Sequence, residues 1–138
     1  FSAHHEDAAL RLPEAYDFDS VLVPINAFCW QQQVIGPRIH AAATARGIAV
    51  LALKALARRP LHEGEAPRWS KCWYQPIDEP DDAATALGFT LSRPVTAAIP
   101  PGHAELLWLA CDALAAVDLD APPQPVPPGL DGEPMFGG

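Results

Sequence analysis

Two unbroken apolar runs of strand length, residues 18–25 (FDSVLVPI) and 48–53 (IAVLAL), constrain this chain more than any other feature. Their centres are apolar at both pleat positions, the pattern of strands covered on both faces. Between them, Gly36-Pro37 precedes RIHAAATAR and Gly47 follows it. Proline in the first turn and glycine past the last bracket a helix of about ten residues. A helical crossover between two such strands makes them parallel.

The alternation extends in both directions. Residues 1–3 read as a strand end, and residues 4–12 as a short helix that Pro13 stops. Pro80 opens a helix with Ala83, Ala84, Leu87 and Leu91 on one face, ending before Arg93-Pro94. Residues 95–99 (VTAAI) form a short strand. After Pro100-Pro101-Gly102, a helix runs from about His103 to Val117, striped by Leu106, Leu109, Ala110, Ala113 and Val117. Strands are thus predicted at 1–3, 19–25, 48–53 and 95–99. Four parallel βα units are half of an eight-stranded α/β barrel, the TIM architecture. A doubly wound open sheet is the rival, and periodicity does not separate the two.

Residues 57–79 read as a long packed loop with Trp69, Trp73 and Tyr74. Residues 122–138 hold six prolines between Pro122 and Pro134 and have no period, which predicts an extended tail whose Leu130, Met135 and Phe136 can dock. The division is therefore a half-barrel over 1–121 and a Pro/Gly-rich tail over 122–138. A start at Phe1, without Met and inside a strand, leads us to expect a C-terminal piece of a longer protein. A half barrel also leaves two strand edges unpaired, which predicts a homodimer or a missing N-terminal half-barrel.

At 138 residues and 49% apolar content, the chain is long enough for one packed domain. A net charge of −8 and a pI near 4.9 argue against binding nucleic acid or anionic membrane. No apolar stretch approaches the roughly 20 residues of a membrane span, and no secretory leader is evident. Cys29, Cys72 and Cys111 have neither zinc-ligand nor redox-motif spacing, and the adjacent His4 and His5 point apart, so no metal site is expected. Reduced thiols fit a cytoplasmic protein.

Ligands of such sheets bind at the carboxyl ends of the strands. Those positions hold Ser2 and His4, Asn26, Lys54, and Pro100 to His103. They suit holding a ligand better than breaking a bond. Seven of nine basic residues lie between Arg38 and Lys71, five of them from Lys54 onward. In an acidic chain this concentration reads, taken alone, first as a solvated charged loop and second as the holder of an anion, most simply a phosphate. Lys54, set at a strand end in LALKAL, reads as a phosphate clamp or as a Schiff-base amine. Amides of the helix start after Pro100-Pro101-Gly102 suit a phosphate as well. Trp30, Trp69, Trp73, Tyr74 and Trp108 read as packing.

The segments FSAHH, FDSVLVPIN, GIAVLALKALARRP, KCWYQPIDEP and FTLSRPVTAAIPPG together resemble the C-terminal half of bacterial aldo/keto reductases, in order and spacing, over residues 1 to about 117. The resemblance implies an eight-stranded barrel that reduces small carbonyl substrates with NADPH, or with NADH. It implies cofactor binding by Ser2 and Asn26 at the nicotinamide end, by Leu53, Lys54 and Leu56 along the cofactor, and by Ile99, Pro100 and Gly102 at the adenosine phosphate. The family pattern differs at Ala3, Leu22, Leu53 and His103, where it has Asn, Gln, an aromatic and basic residues. Its catalytic Asp, Tyr, Lys and His belong to the first four strands, so no catalytic residue is assigned here. The alternatives are a Schiff-base lyase barrel using Lys54 and a noncatalytic barrel remnant acting in binding or assembly.

Overall fold

The computed structural model describes residues 1–2, 5–32 and 35–136. Its centre is a parallel sheet of β1 (Ser20–Pro24), β2 (Ala49–Leu53) and, after a hairpin described below, β5 (Ala97–Ala98). The registers pair Val21 with Val50, Val23 with Ala52, and Ala52 with Ala98. Ser2 adds a single parallel bridge to Leu22, beyond β1. The order along the sheet therefore follows the chain, without the reversal that marks a doubly wound switch point.

Helices α1 (Glu6–Ala15) and α3 (Pro37–Ala45) cover one face. Val21, Val23, Val50 and Ala52 are almost fully buried there, with Ala9, Ile39, Ala43 and Ile48. The other face corrects the sequence reading of strands covered on both sides. Ser20, Leu22, Ala49, Leu51 and Leu53, the alternate positions, are only half-buried. Strand hydrophobicity signals an apolar neighbour on each face but does not supply one.

The bracketing of α3 is as read: Gly36 adopts φ 133, Pro37 stands at the helix start, and Gly47 follows at φ 70. A side chain on Gly36 would also press on the Pro24 carbonyl. Pro13 lies inside α1 instead of ending it, since under one turn follows and Tyr16 N–H still reaches the Leu12 carbonyl. The expected start of α1 at His4, like Ala3, lies outside the described residues. A short α2 (Ala27–Gln32) was not foreseen. Neither was the antiparallel hairpin of β3 (Ala57–Pro60) and β4 (Tyr74–Pro76) within the expected loop. The last two helices, α4 (Pro80–Leu91) and α5 (Ala104–Ala113), match expectation, with a 3-10 turn at Leu114–Ala116. They form a second core with Ala55, Leu56 and Ile77.

The described part of the tail is docked at several points. Gln124 N–H donates to Ser92 Oγ at 3.0 Å, and Arg58 donates to the Asp131 carbonyl at 3.0 Å. Glu133 N–H returns a bond to the Arg58 carbonyl at 2.8 Å. Met135 is buried against Cys29, Ala57 and Tyr74. Among the described residues no helix is long and apolar enough to cross a membrane.

Candidate functional site

The carboxyl ends of the strands lie side by side in the order Ser2, Asn26, Lys54, Pro100. Lys54 is the unusual residue. It is the one described non-glycine residue with positive φ, at 64°, a conformation that costs about 1–2 kcal/mol for an L side chain. Its carbonyl accepts from Asn26 Nδ2 and from Ala57 N–H, both at 2.9 Å. Asn26 Oδ1 in turn accepts Cys29 N–H at 2.8 Å and so caps α2.

The Lys54 ammonium projects between two rings, 4.5 Å from the centre of Trp73 and 4.1 Å from that of Tyr74. Cation–π attraction compensates part of its lost hydration. No carboxylate pairs with it among the described residues. Burial lowers its pKa, with nearby Cys72 pulling the other way. Cys72 is buried too, which raises its thiol pKa against the lowering effects of a Gly102 backbone hydrogen bond and of Lys54. Burial, with a smaller contribution from Cys72, pushes the Tyr74 phenol up to about 12.

The hairpin loop is pinned onto the β5 end. Lys71 N–H donates to His103 Nε2 at 3.0 Å, so the His103 proton sits on Nδ1, 3.5 Å from Glu105. Trp69 stacks edge-on against the His103 ring and donates to Asp78 at 2.9 Å.

The structure sorts the residues read from the sequence into groups. Lys54 and Gly102 meet around Cys72. Leu56, Ile99 and Pro100 instead line an apolar cavity of about 200 Å³ between α4 and α5. Leu53 lies on the open sheet face, Ser2 is exposed at its edge, and Asn26 is buried with both ends of its amide engaged.

The basic cluster is mostly neutralised. Arg58 pairs with Asp82, Arg59 with both oxygens of Glu65, and Arg68 with Asp78 at 2.9 Å. This leaves Lys54 as the cation of the cluster best placed for an external anion. Cys72, Trp73 and Tyr74 are site residues that a reading of strand ends alone missed. Their signal was the KCWYQP segment, which chain reversal brings back beside β2. No metal-binding group of His, Cys, Asp and Glu occurs among the described residues.

No family model, curated protein or solved structure matches this chain.

Proposed function

We propose that the chain is the cofactor-binding half of an NAD(P)H-dependent oxidoreductase of the aldo/keto reductase type. The observation that carries this is the Lys54 ammonium at a strand end, with no carboxylate partner among the described residues, beside the Gly102 turn that opens α5. Both stand at positions that the resemblance assigns to the cofactor. The fit is at the phosphate end, where Lys54 supplies a charged donor; Leu56, Ile99 and Pro100 belong to the separate apolar cavity between α4 and α5. Asn26 enters as a positioning residue, since its amide holds the Lys54 turn. The bound cofactor would supply hydride to a small-molecule carbonyl, and no residue here is assigned as proton donor. NADP is the favoured cofactor, with NAD the alternative.

The chain-ordered parallel strands and half-exposed face of Leu22, Leu51 and Leu53 support the half-barrel reading, since parallel sheets are normally covered on both faces. A missing half-barrel or a second copy would provide that cover, and sedimentation of the isolated chain as a dimer or larger species is the expected sign.

Fluorescence titration of the chain with NADPH tests the reading. Lys54→Ala should raise the dissociation constant roughly 10- to 150-fold, the scale of one charge-assisted hydrogen bond. Absence of NADPH and NADH binding by the parent, or identical binding by Lys54→Ala, overturns it. The lowered pKa of Lys54 favours a second reading, a Schiff-base amine. Borohydride trapping of a small aldehyde on Lys54, without nicotinamide binding, would establish that alternative. A noncatalytic remnant would give neither result.

A further inference from the structure

Arg93, in the turn after α4, is a buried cation without a carboxylate partner among the described residues. It is 7% exposed. Nη1 donates to the Phe89 carbonyl and, at 3.4 Å, to Ser92 Oγ, while Nη2 donates to the Gln124 carbonyl at 2.9 Å. Nε donates to nothing, and one of the two Nη2 hydrogens has no acceptor. The guanidinium lies 3.5 Å from the Phe89 ring centre and 4.5 Å from that of Trp30. These rings and three neutral acceptors compensate part of its desolvation. A buried guanidinium ordinarily meets an anion.

A cleft of about 550 Å³ opens beside it, lined by Trp30, His40, Arg93, Pro94, Gln124 and Val126 among others. Its walls are largely apolar and include the Trp30 ring, over which the Arg93 guanidinium sits. His40 faces the Pro94 carbonyl through Nε2 at 3.2 Å, so Nε2 carries the proton. Burial, and more weakly the Arg93 charge, lower the His40 pKa against the raising effect of the Pro94 hydrogen bond. The cleft thus offers one unbalanced positive charge, two unused N–H donors on one guanidinium, and a flat apolar wall. A monoanion balances that charge where a dianion would exceed it.

We propose that this cleft binds a small carboxylate with a flat apolar body, the carboxylate on Arg93 and the ring against Trp30. The tail around Gln124 moves aside to admit it, since Nε is closed off from solvent. None of these residues belongs to the strand-end site, so the proposal is independent of the function proposed above.

Tryptophan fluorescence of the full chain titrated with benzoate, benzamide and inorganic phosphate tests it. Benzoate should give saturable quenching, at least about tenfold tighter than its neutral isostere benzamide and tighter than phosphate. Trp30→Phe should remove most of the signal. Arg93→Lys, which keeps the charge and loses the fork, should weaken benzoate by about tenfold or more. The amide of Gln124, bonded to Ser92 Oγ, should exchange faster when benzoate is bound. Equal benzoate and benzamide binding, no saturable binding, a preference for phosphate, or parent-like affinity in a folded Arg93→Lys variant overturns the proposal. Where Arg93→Lys does not fold, the comparison of the three probes on the parent decides.

Discussion

The side-chain amide of Asn26 holds the backbone of Lys54, donating to its carbonyl at 2.9 Å across 28 residues of sequence. The other end of the same amide caps α2. One buried side chain therefore starts a helix after β1 and steadies the left-handed turn after β2. The strained residue is also the one whose ammonium carries the proposed function, as expected where strain is held by its surroundings.

Asn26→Ala should destabilise the chain by about 2 kcal/mol, from loss of a cap worth about 1 and an interstrand bond worth about 1. Asn26→Ser retains a capping oxygen without the reach to Lys54, and should recover roughly half of that loss. Urea unfolding of the two variants measures the difference. Equal stability of the two would show that the Lys54 bond contributes nothing.

Lys54 itself separates strain from charge. Lys54→Gly removes the penalty at φ 64, whereas Lys54→Ala retains it, so the glycine variant should be the more stable by about 1 kcal/mol. Both lose the ammonium between Trp73 and Tyr74, so both should lose NADPH affinity alike. A glycine variant no more stable than the alanine variant would count against strain at this turn.

What could be read from the sequence follows from how local the determinant is. β1, β2, α3, α4 and α5 are set by runs and brackets within a few residues, such as Gly36-Pro37 before α3 and Gly47 after it. The β3–β4 hairpin is not local: its pairing joins Ala57 to Pro76 through short strands that carry Arg58, Arg59 and two prolines. Nothing in such a pattern alternates. The position of Lys54 at a strand end was readable, but its positive φ was not, because lysine carries no preference for that conformation. Its surroundings, Cys72, Trp73 and Tyr74, arrive by the same chain reversal. The sequence also could not say that Arg58, Arg59 and Arg68 would be taken up by Asp82, Glu65 and Asp78.

The Arg59–Glu65 pair has a pH consequence. The Arg59 guanidinium first, and then the His62 N–H, hold the Glu65 carboxyl down at about 2 against the usual 4.5. A depressed carboxylate stabilises the fold above its unfolded pKa and loses that contribution as pH falls through the folded one. The hairpin loop should therefore loosen between about pH 4.5 and 2, modestly and with some salt dependence, because the pair is only partly buried. Carboxyl NMR titration should place Glu65 near 2, and Arg59→Gln should raise it toward 4.5. An unmoved midpoint in Arg59→Gln would remove the guanidinium as the cause.

The docking of the tail turns on Gly132. A Cβ built there overlaps the Arg58 carbonyl and the Phe28 ring. Neither neighbour has room to yield: the Arg58 carbonyl belongs to β3 and also accepts Glu133 N–H, and Phe28 is buried. Gly132→Ala should therefore lift the tail end off the hairpin and expose Met135, whose burial contributes about 1.5–3 kcal/mol at most. Met135 is the single methionine of the chain and is 6% exposed, so its oxidation reports the docking directly. Hydrogen peroxide should convert it to the sulfoxide slowly in the parent and many times faster in Gly132→Ala, read by mass spectrometry. Lifting the tail end should also take Phe136 off Trp73, freeing one wall of the Lys54 cage, so NADPH affinity should fall in the same variant. Unchanged oxidation in a folded Gly132→Ala protein would show that the tail end docks without the close approach at Gly132.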